Sequence, residues 1–240
     1  MPNTKLFMLL IALYLAQGLP AGFIAHALPT LMREQGVSLA VIGFLKLLAL
    51  PWLLKFLWAP LVDRSISVHG AFLRRRWIVV TQSMTALFLI GLSFTIGDPH
   101  IAFLTASIVM ILLINTCAAT QDIVTDGIAV SKTAEQNLGW VNSIQVGGYK
   151  VGMIIGGSGL LLLSSFLSWQ SLFVVMSAAL MLLLFPLFWL DERRVEQEQD
   201  HDALSTMNFS NTWFGSLRGF FSQDNIFPWL LVLSVLEVFL

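Results

Sequence analysis

Charge is scarce in this sequence: of 240 residues, only 11% are Asp, Glu, Lys or Arg, against roughly 25% in a soluble domain. So few charged side chains cannot clothe a water-facing surface, and the composition argues for a membrane protein. Cysteine is almost missing as well. Cys117 stands alone in an apolar run, which rules out an intramolecular disulfide and reads as a small buried hydrophobe. The four histidines are scattered with no metal-ligand spacing, so neither a metal nor a cofactor is expected. No histidine–carboxylate or nucleophile–base pairing stands out, which disfavours a membrane-embedded enzyme. The net charge of −1 is uninformative as a sum, and nucleic acid is not an expected partner. The first apolar stretch is too long for a signal-peptide core and lacks a small-residue cleavage site, so it reads as a retained helix.

What the chain has instead is apolar length. Hydrophobic residues make up 57% of it, with eight Trp and eighteen Phe. Windows of about twenty apolar residues predict membrane-spanning helices at Leu6–Leu28, Leu39–Leu61, Trp77–Ile96, Ile101–Thr125, Leu138–Leu163 and Trp169–Leu190. The fold class is therefore all-α membrane protein, with a six-helix bundle over residues 1–190. Residues 191–225 read as a polar cytosolic linker, and 226–240 as the truncated start of a seventh helix. Between the second and third spans, Asp63–Arg76 reads as a loop.

Lys and Arg placement sets the orientation. With a cytosolic N-terminus, the cytosolic segments hold Lys5, Arg64, Arg74, Arg75, Arg76, Lys132, Arg193, Arg194 and Arg218, and the opposite side holds Arg33. That asymmetry follows the positive-inside rule.

The most informative segment is Thr120-Gln121-Asp122-Ile123-Val124-Thr125-Asp126. Its two carboxylates are four residues apart, so they share one helical face. An ionisable side chain inside such a helix costs roughly 2.5–3.5 kcal/mol on insertion scales and usually faces a cavity, an ion path or a partner charge. Lys150 lies about 18 Å along its helix from Leu138, too deep to snorkel to either interface, and reads as a contact for an anionic solute or as half of an interhelical ion pair. Lys55 and Lys46 lie nearer helix ends. Asp122 reads either as a coupling or substrate group, or as the structural partner of Lys55 or Lys150. Asp126 serves either that pathway or a loop anchor. Gln121 points about 100° away from Asp122, toward the bundle or a solute. Gln17, beside Gly18 and Pro20, reads as a kinked polar patch on a cavity wall. Gly148, Gly152 and Gly156 form a small-residue stripe at i, i+4 spacing, which suits close helix packing.

Six helices, a polar linker and a new helix resemble half of a twelve-helix transporter, and particular motifs sharpen the likeness. Lys55-Phe56-Leu57-Trp58-Ala59-Pro60-Leu61-Val62-Asp63-Arg64, followed by Arg74-Arg75-Arg76-Trp77, resembles the major facilitator superfamily signature between helices two and three. Thr120-Gln121-Asp122-Ile123 with Asp126, Gly148-Tyr149-Lys150 and Gln17-Gly18-Leu19-Pro20 are similar to the AmpG-like branch, which holds anhydromuropeptide permeases and acetyl-CoA transporters. The likeness covers about residues 6–190. One departure is informative: muropeptide permeases continue from the second aspartate with Ala, an aromatic and a basic residue, whereas this chain has Gly127-Ile128-Ala129. Ala27-Leu28-Pro29 and Gly36-Val37-Ser38-Leu39 look closer to single-subunit siderophore importers of the same branch.

The resemblance implies an inner-membrane, proton-coupled permease that imports a bulky polar solute such as a siderophore by alternating access. Anhydromuropeptide import is the alternative, and a non-transporting half acting as a scaffold, or an inactive fragment, is a third reading. It also implies that Asp63, Arg64, Arg74, Arg75 and Arg76 form a gating loop, that membrane lipids and a small polar solute are partners, and that a second six-helix half completes the machine.

Overall fold

Six helical segments long and apolar enough to cross a bilayer organise the described part of the chain. The computed structural model describes residues 4–34, 36–95, 101–133 and 137–189, with side chains at 45, 67–71, 101–104 and 189 left aside. The expected linker at 191–225 and the expected seventh-helix start at 226–240 lie outside these residues. In chain order the segments are α1 (Thr4–Glu34), α2 (Leu39–Leu57), α3 (Ala59–Ser93, apolar over Phe72–Ser93), α4 (Ile101–Ser131, apolar over Thr105–Ser131), α5 (Leu138–Leu163) and α6 (Trp169–Phe188). Among the described residues there is no strand, and the protein is an all-α, multi-pass membrane protein.

Helices run past the ends of the apolar windows because backbone hydrogen bonding continues into polar residues. α1 extends to Glu34 and α4 to Ser131, so Asp126 lies more than a turn inside α4. The segment expected as a loop at Asp63–Arg76 is helical throughout, within Ala59–Ser93. Yet the Trp77 indole N–H donates to Ser65 Oγ at 3.0 Å. Twelve residues of straight helix would separate those two positions by about 18 Å. The segment therefore folds back between them through a helical corner rather than an irregular loop. After Pro60 it contains no further proline to interrupt the hydrogen-bond ladder. Low hydropathy there did not mark a loss of helical backbone.

Proline explains two irregular helices. Pro20 removes a donor inside α1, and a π-helical turn follows at Phe23–Ala27. α2 is broken into short pieces around Pro51, with 3-10 turns at Leu45–Ala49 and Lys55–Leu57. A second π-helical turn, Ile155–Gly159, occurs in α5 and packs against the one in α1.

The core has two layers, both built on α1, α3, α4 and α6. In one, Leu19 and Phe23 of α1 meet Leu89 of α3, Ile114 of α4 and Phe173 of α6. The Phe23 and Phe173 rings pack edge to face at 5.1 Å, a favoured aromatic arrangement. In the other, Leu10 and Tyr14 of α1 meet Ile78 of α3, Val124 and Ile128 of α4, and Leu187 near the end of α6. The start of α1 thus packs with the end of α4, which makes these helices antiparallel. α2 and α5 flank this core: only 6% and 22% of their apolar windows are buried, against 67% for α1.

Candidate functional site

Helix α4 carries a polar strip that joins it to four other helices. At its centre, Lys55 Nζ of α2 donates to Asp122 Oδ2 at 2.9 Å. The Asp122 side chain is 8% exposed and that of Lys55 is 29% exposed, so one end of the pair is dry and the other reaches the open face of α2. The 3-10 turn at Lys55–Leu57 places the ammonium there. The same ammonium stands 5.7 Å from the Trp52 ring centroid, within cation–π range. Trp52 in turn donates its indole N–H to Asn115 Oδ1 at 3.2 Å and meets the Tyr149 ring edge-on at 6.3 Å. Asn115 Nδ2 donates to the carbonyl of Leu48 at 2.9 Å, and Trp58 donates to Thr120 Oγ1 at 3.1 Å. These polar contacts join α2 to α4.

One turn further on, Asp126 Oδ1 accepts from Tyr14 OH of α1 at 2.8 Å and from Gln145 Nε2 of α5 at 3.1 Å. The two carboxylates lie within electrostatic reach of each other and of Lys55. Beside them, Gln17 Nε2 donates to Thr125 Oγ1 at 3.2 Å. Gln121 Nε2 donates to Gln82 Oε1 at 2.8 Å, and Gln82 Nε2 donates to the Leu180 carbonyl at 2.6 Å, linking α4, α3 and α6. In an apolar medium each of these bonds replaces a costly unsatisfied group.

Several expectations about individual residues can now be placed. Asp122 pairs with Lys55, not Lys150. Gly148, Gly152 and Gly156 face α1, and Lys150 lies about 200° around the helix from Gly148, exposed on the outward side. Gln17 is 2% exposed and forms part of the α1–α4 contact instead of an open cavity wall. Arg74 donates to Ser131 Oγ at 3.2 Å and lies within electrostatic reach of Asp63. Arg75 stacks over Phe188 at 4.8 Å, while Arg64 and Arg76 are exposed. A Cβ on Gly152 or Gly156 would strike the carbonyl oxygens of Leu15 and Leu19 in α1.

The sequence reading did not single out Tyr14, Trp52, Gln82, Asn115, Thr125 or Gln145. Their signal was present, since each is a hydrogen-bonding side chain inside an apolar run, where partners are obligatory. An apolar cavity of ≈ 330 Å³ between α1 and α5 is lined by Phe7, Ile11, Leu15, Trp140 and Val151 among others. Among the described residues no ionisable group lines it, so that lining does not suit a polar solute. Among the described residues no group of three His, Cys, Asp or Glu could hold a metal ion.

Tyr14→Phe tests the Asp126 node. It removes a hydrogen bond to a carboxylate while preserving shape, and should lower thermal stability in detergent by about 1.5–3 kcal/mol; an unchanged melt would show that Gln145 alone holds Asp126.

Comparison with known proteins agrees with this architecture. Residues 6–105 match the family described as Acetyl-coenzyme A transporter 1. The chain is 30% identical to the anhydromuropeptide permease of Escherichia coli strain K12 over 229 residues, which is 95% of this chain and 44% of that protein. It is 26% identical over 216 residues to a Rickettsia conorii protein provisionally named transporter AmpG 4, covering 88% of this chain and 51% of the relative. The chain thus spans about half the length of the curated relatives it matches. These similarities support a major-facilitator-like membrane transporter, and the relatives are named as permeases and transporters rather than enzymes.

Proposed function

We propose that this chain forms the N-terminal six-helix half of a proton-coupled permease that imports a bulky polar solute across a bacterial inner membrane by alternating access, with its N-terminus in the cytosol. The observation that carries this reading is the Lys55–Asp122 pair, an ammonium and a carboxylate joined at 2.9 Å between two apolar helices. Asp122 is the proton-coupling group. Lys55 has three N–H donors, so it can hold Asp122 and still meet an anionic group of the solute. Protonation of Asp122 loosens the α2–α4 contact, and release of the proton restores it. Asp126, Gln121 and Gln17 tie the neighbouring helices to the same strip, and Lys150 lies on the exposed, outward side of α5. Asp63 and the surrounding arginines stabilise one access state, and a second six-helix half completes the solute path.

For the solute, similarity to the Escherichia coli protein supports an anhydromuropeptide. The absence of a basic residue in Gly127-Ile128-Ala129 favours a siderophore instead. Uptake by permease-deficient cells, with the chain completed by its second half, separates the two when both solutes are offered in parallel. Accumulation of one of them should be abolished by collapsing the proton gradient and by Asp122→Asn. Undiminished accumulation by the Asp122→Asn variant would overturn the coupling role.

A further inference from the structure

Two indoles frame the Lys55–Asp122 pair. Trp52, Lys55 and Trp58 recur at every third position, and all three donate to α4. Trp52 reaches Asn115 Oδ1 at 3.2 Å, Lys55 reaches Asp122 Oδ2 at 2.9 Å, and Trp58 reaches Thr120 Oγ1 at 3.1 Å. On a continuous α-helix such a series drifts by about 60° per step around the axis. The 3-10 turn Lys55–Leu57 is closed by the Trp58 N–H on the Lys55 carbonyl at 3.2 Å. Side chains three apart in a 3-10 turn eclipse one another, so the break in α2 brings Trp58 into line with Lys55.

The two neutral acceptors are buried and held from behind. Asn115 donates its Nδ2 to the Leu48 carbonyl at 2.9 Å. The Leu50 N–H bonds Leu47 in 3-10 fashion; the next bond of that series would place a Pro51 N–H on Leu48, and proline has none. Asn115 supplies a donor there instead. Thr120 gives its own proton to the Thr116 carbonyl at 2.7 Å, which leaves its oxygen to accept. An indole N–H only donates, and neither an amide nor an aliphatic hydroxyl takes up charge in the physiological range. Of the three bonds, the central one alone responds to a proton.

We propose that Trp52 and Trp58 are positioning residues of the coupling site. Their neutral bonds to Asn115 and Thr120 keep α2 docked on α4 throughout the proton cycle, so protonation of Asp122 releases the Lys55 ammonium from the carboxylate and not the helix. This rests on Asp122 as the proton-coupling group, and it confines the loosening there to a side chain.

Nitroxide labels at Leu54→Cys and Val174→Cys, both exposed positions, report the distance of α2 from α6 by double electron–electron resonance in the full 240-residue chain carrying Cys117→Ser. Asp122→Asn, which imitates the protonated carboxyl, should leave the distance distribution of the parent chain unchanged. Adding Trp52→Phe and Thr120→Val removes both neutral bonds while preserving ring and shape. That triple variant should gain a longer-distance population about tenfold above that of Asp122→Asn, since each lost neutral hydrogen bond is worth a factor of several. Exchanging Thr120→Val for Thr120→Ser, which keeps the hydroxyl, should reverse much of the gain, and circular dichroism should show equal helix content throughout. A longer distance in Asp122→Asn alone would overturn the proposal, because the helix would then move with the proton, and would leave the coupling role of Asp122 standing. A triple variant matching the parent chain would also overturn it, since the indoles would then hold nothing in place. The coupling role itself fails on a separate reading, undiminished uptake by Asp122→Asn.

Discussion

Lys55→Met is expected to destabilise the bundle more than Asp122→Asn, and the pair Lys55→Met, Asp122→Leu is expected to recover most of the loss. The asymmetry follows from exposure. Removing the lysine strands a carboxylate that is 8% exposed, and an unpaired buried charge typically costs about 3–5 kcal/mol. Removing the aspartate leaves an ammonium that is 29% exposed and has the Trp52 ring beside it, so solvent and cation–π attraction soften the loss to about 1 kcal/mol. The double replacement removes both desolvation penalties, and buried pairs exchanged for apolar residues are often neutral in stability. Denaturant or thermal melts of the four proteins in one detergent give the cycle directly. Additive losses in the double variant would show that the two groups do not depend on each other.

The second large effect concerns the α1–α5 contact. Gly156→Ala should cost about 1–3 kcal/mol or more, the range for overpacking a tight contact, because the new methyl group meets the Leu19 carbonyl, which is backbone and cannot rotate aside. Gly152→Ala should behave alike, meeting Leu15. Gly147→Ala is the internal control: nothing lies within 4 Å of its added methyl. There the ordinary helix preference for Ala over Gly should act alone and stabilise by about 0.5–1 kcal/mol. Opposite signs at two glycines of one helix would separate packing from propensity. If Gly156→Ala melted with the parent chain, the helices would have to approach less closely than described.

Much of the fold was legible because the bilayer imposes length and apolarity, which hydropathy windows read directly. The positions of the six helices follow from that alone. The helical corner at Asp63–Arg76 was not legible, because hydropathy reports where a segment sits and not whether its backbone stays helical. The glycine stripe was readable from its i, i+4 spacing, and the structure shows which helix it admits: α1, whose Gly18 and Gly22 answer it. The stripe also held an unused inference. If Gly148 and Gly152 face the bundle, Lys150 must point away, and Lys55 is left as the partner for Asp122. Gln82 and Tyr14 escaped notice for a different reason. A lone polar group in an apolar run announces that it has a partner, but the partner's helix is a matter of tertiary packing that one sequence does not reveal.

The most direct test of the central claim is proton movement itself. The chain with its second half, reconstituted in proteoliposomes, is exposed to the imported solute under an imposed solute gradient with no proton gradient, and internal pH is followed with a trapped dye. Our account predicts acidification that depends on solute, with none in the Asp122→Asn protein even though the solute still binds. Acidification that persists in the Asp122→Asn protein, or solute entry in the parent protein without any proton movement, would contradict it.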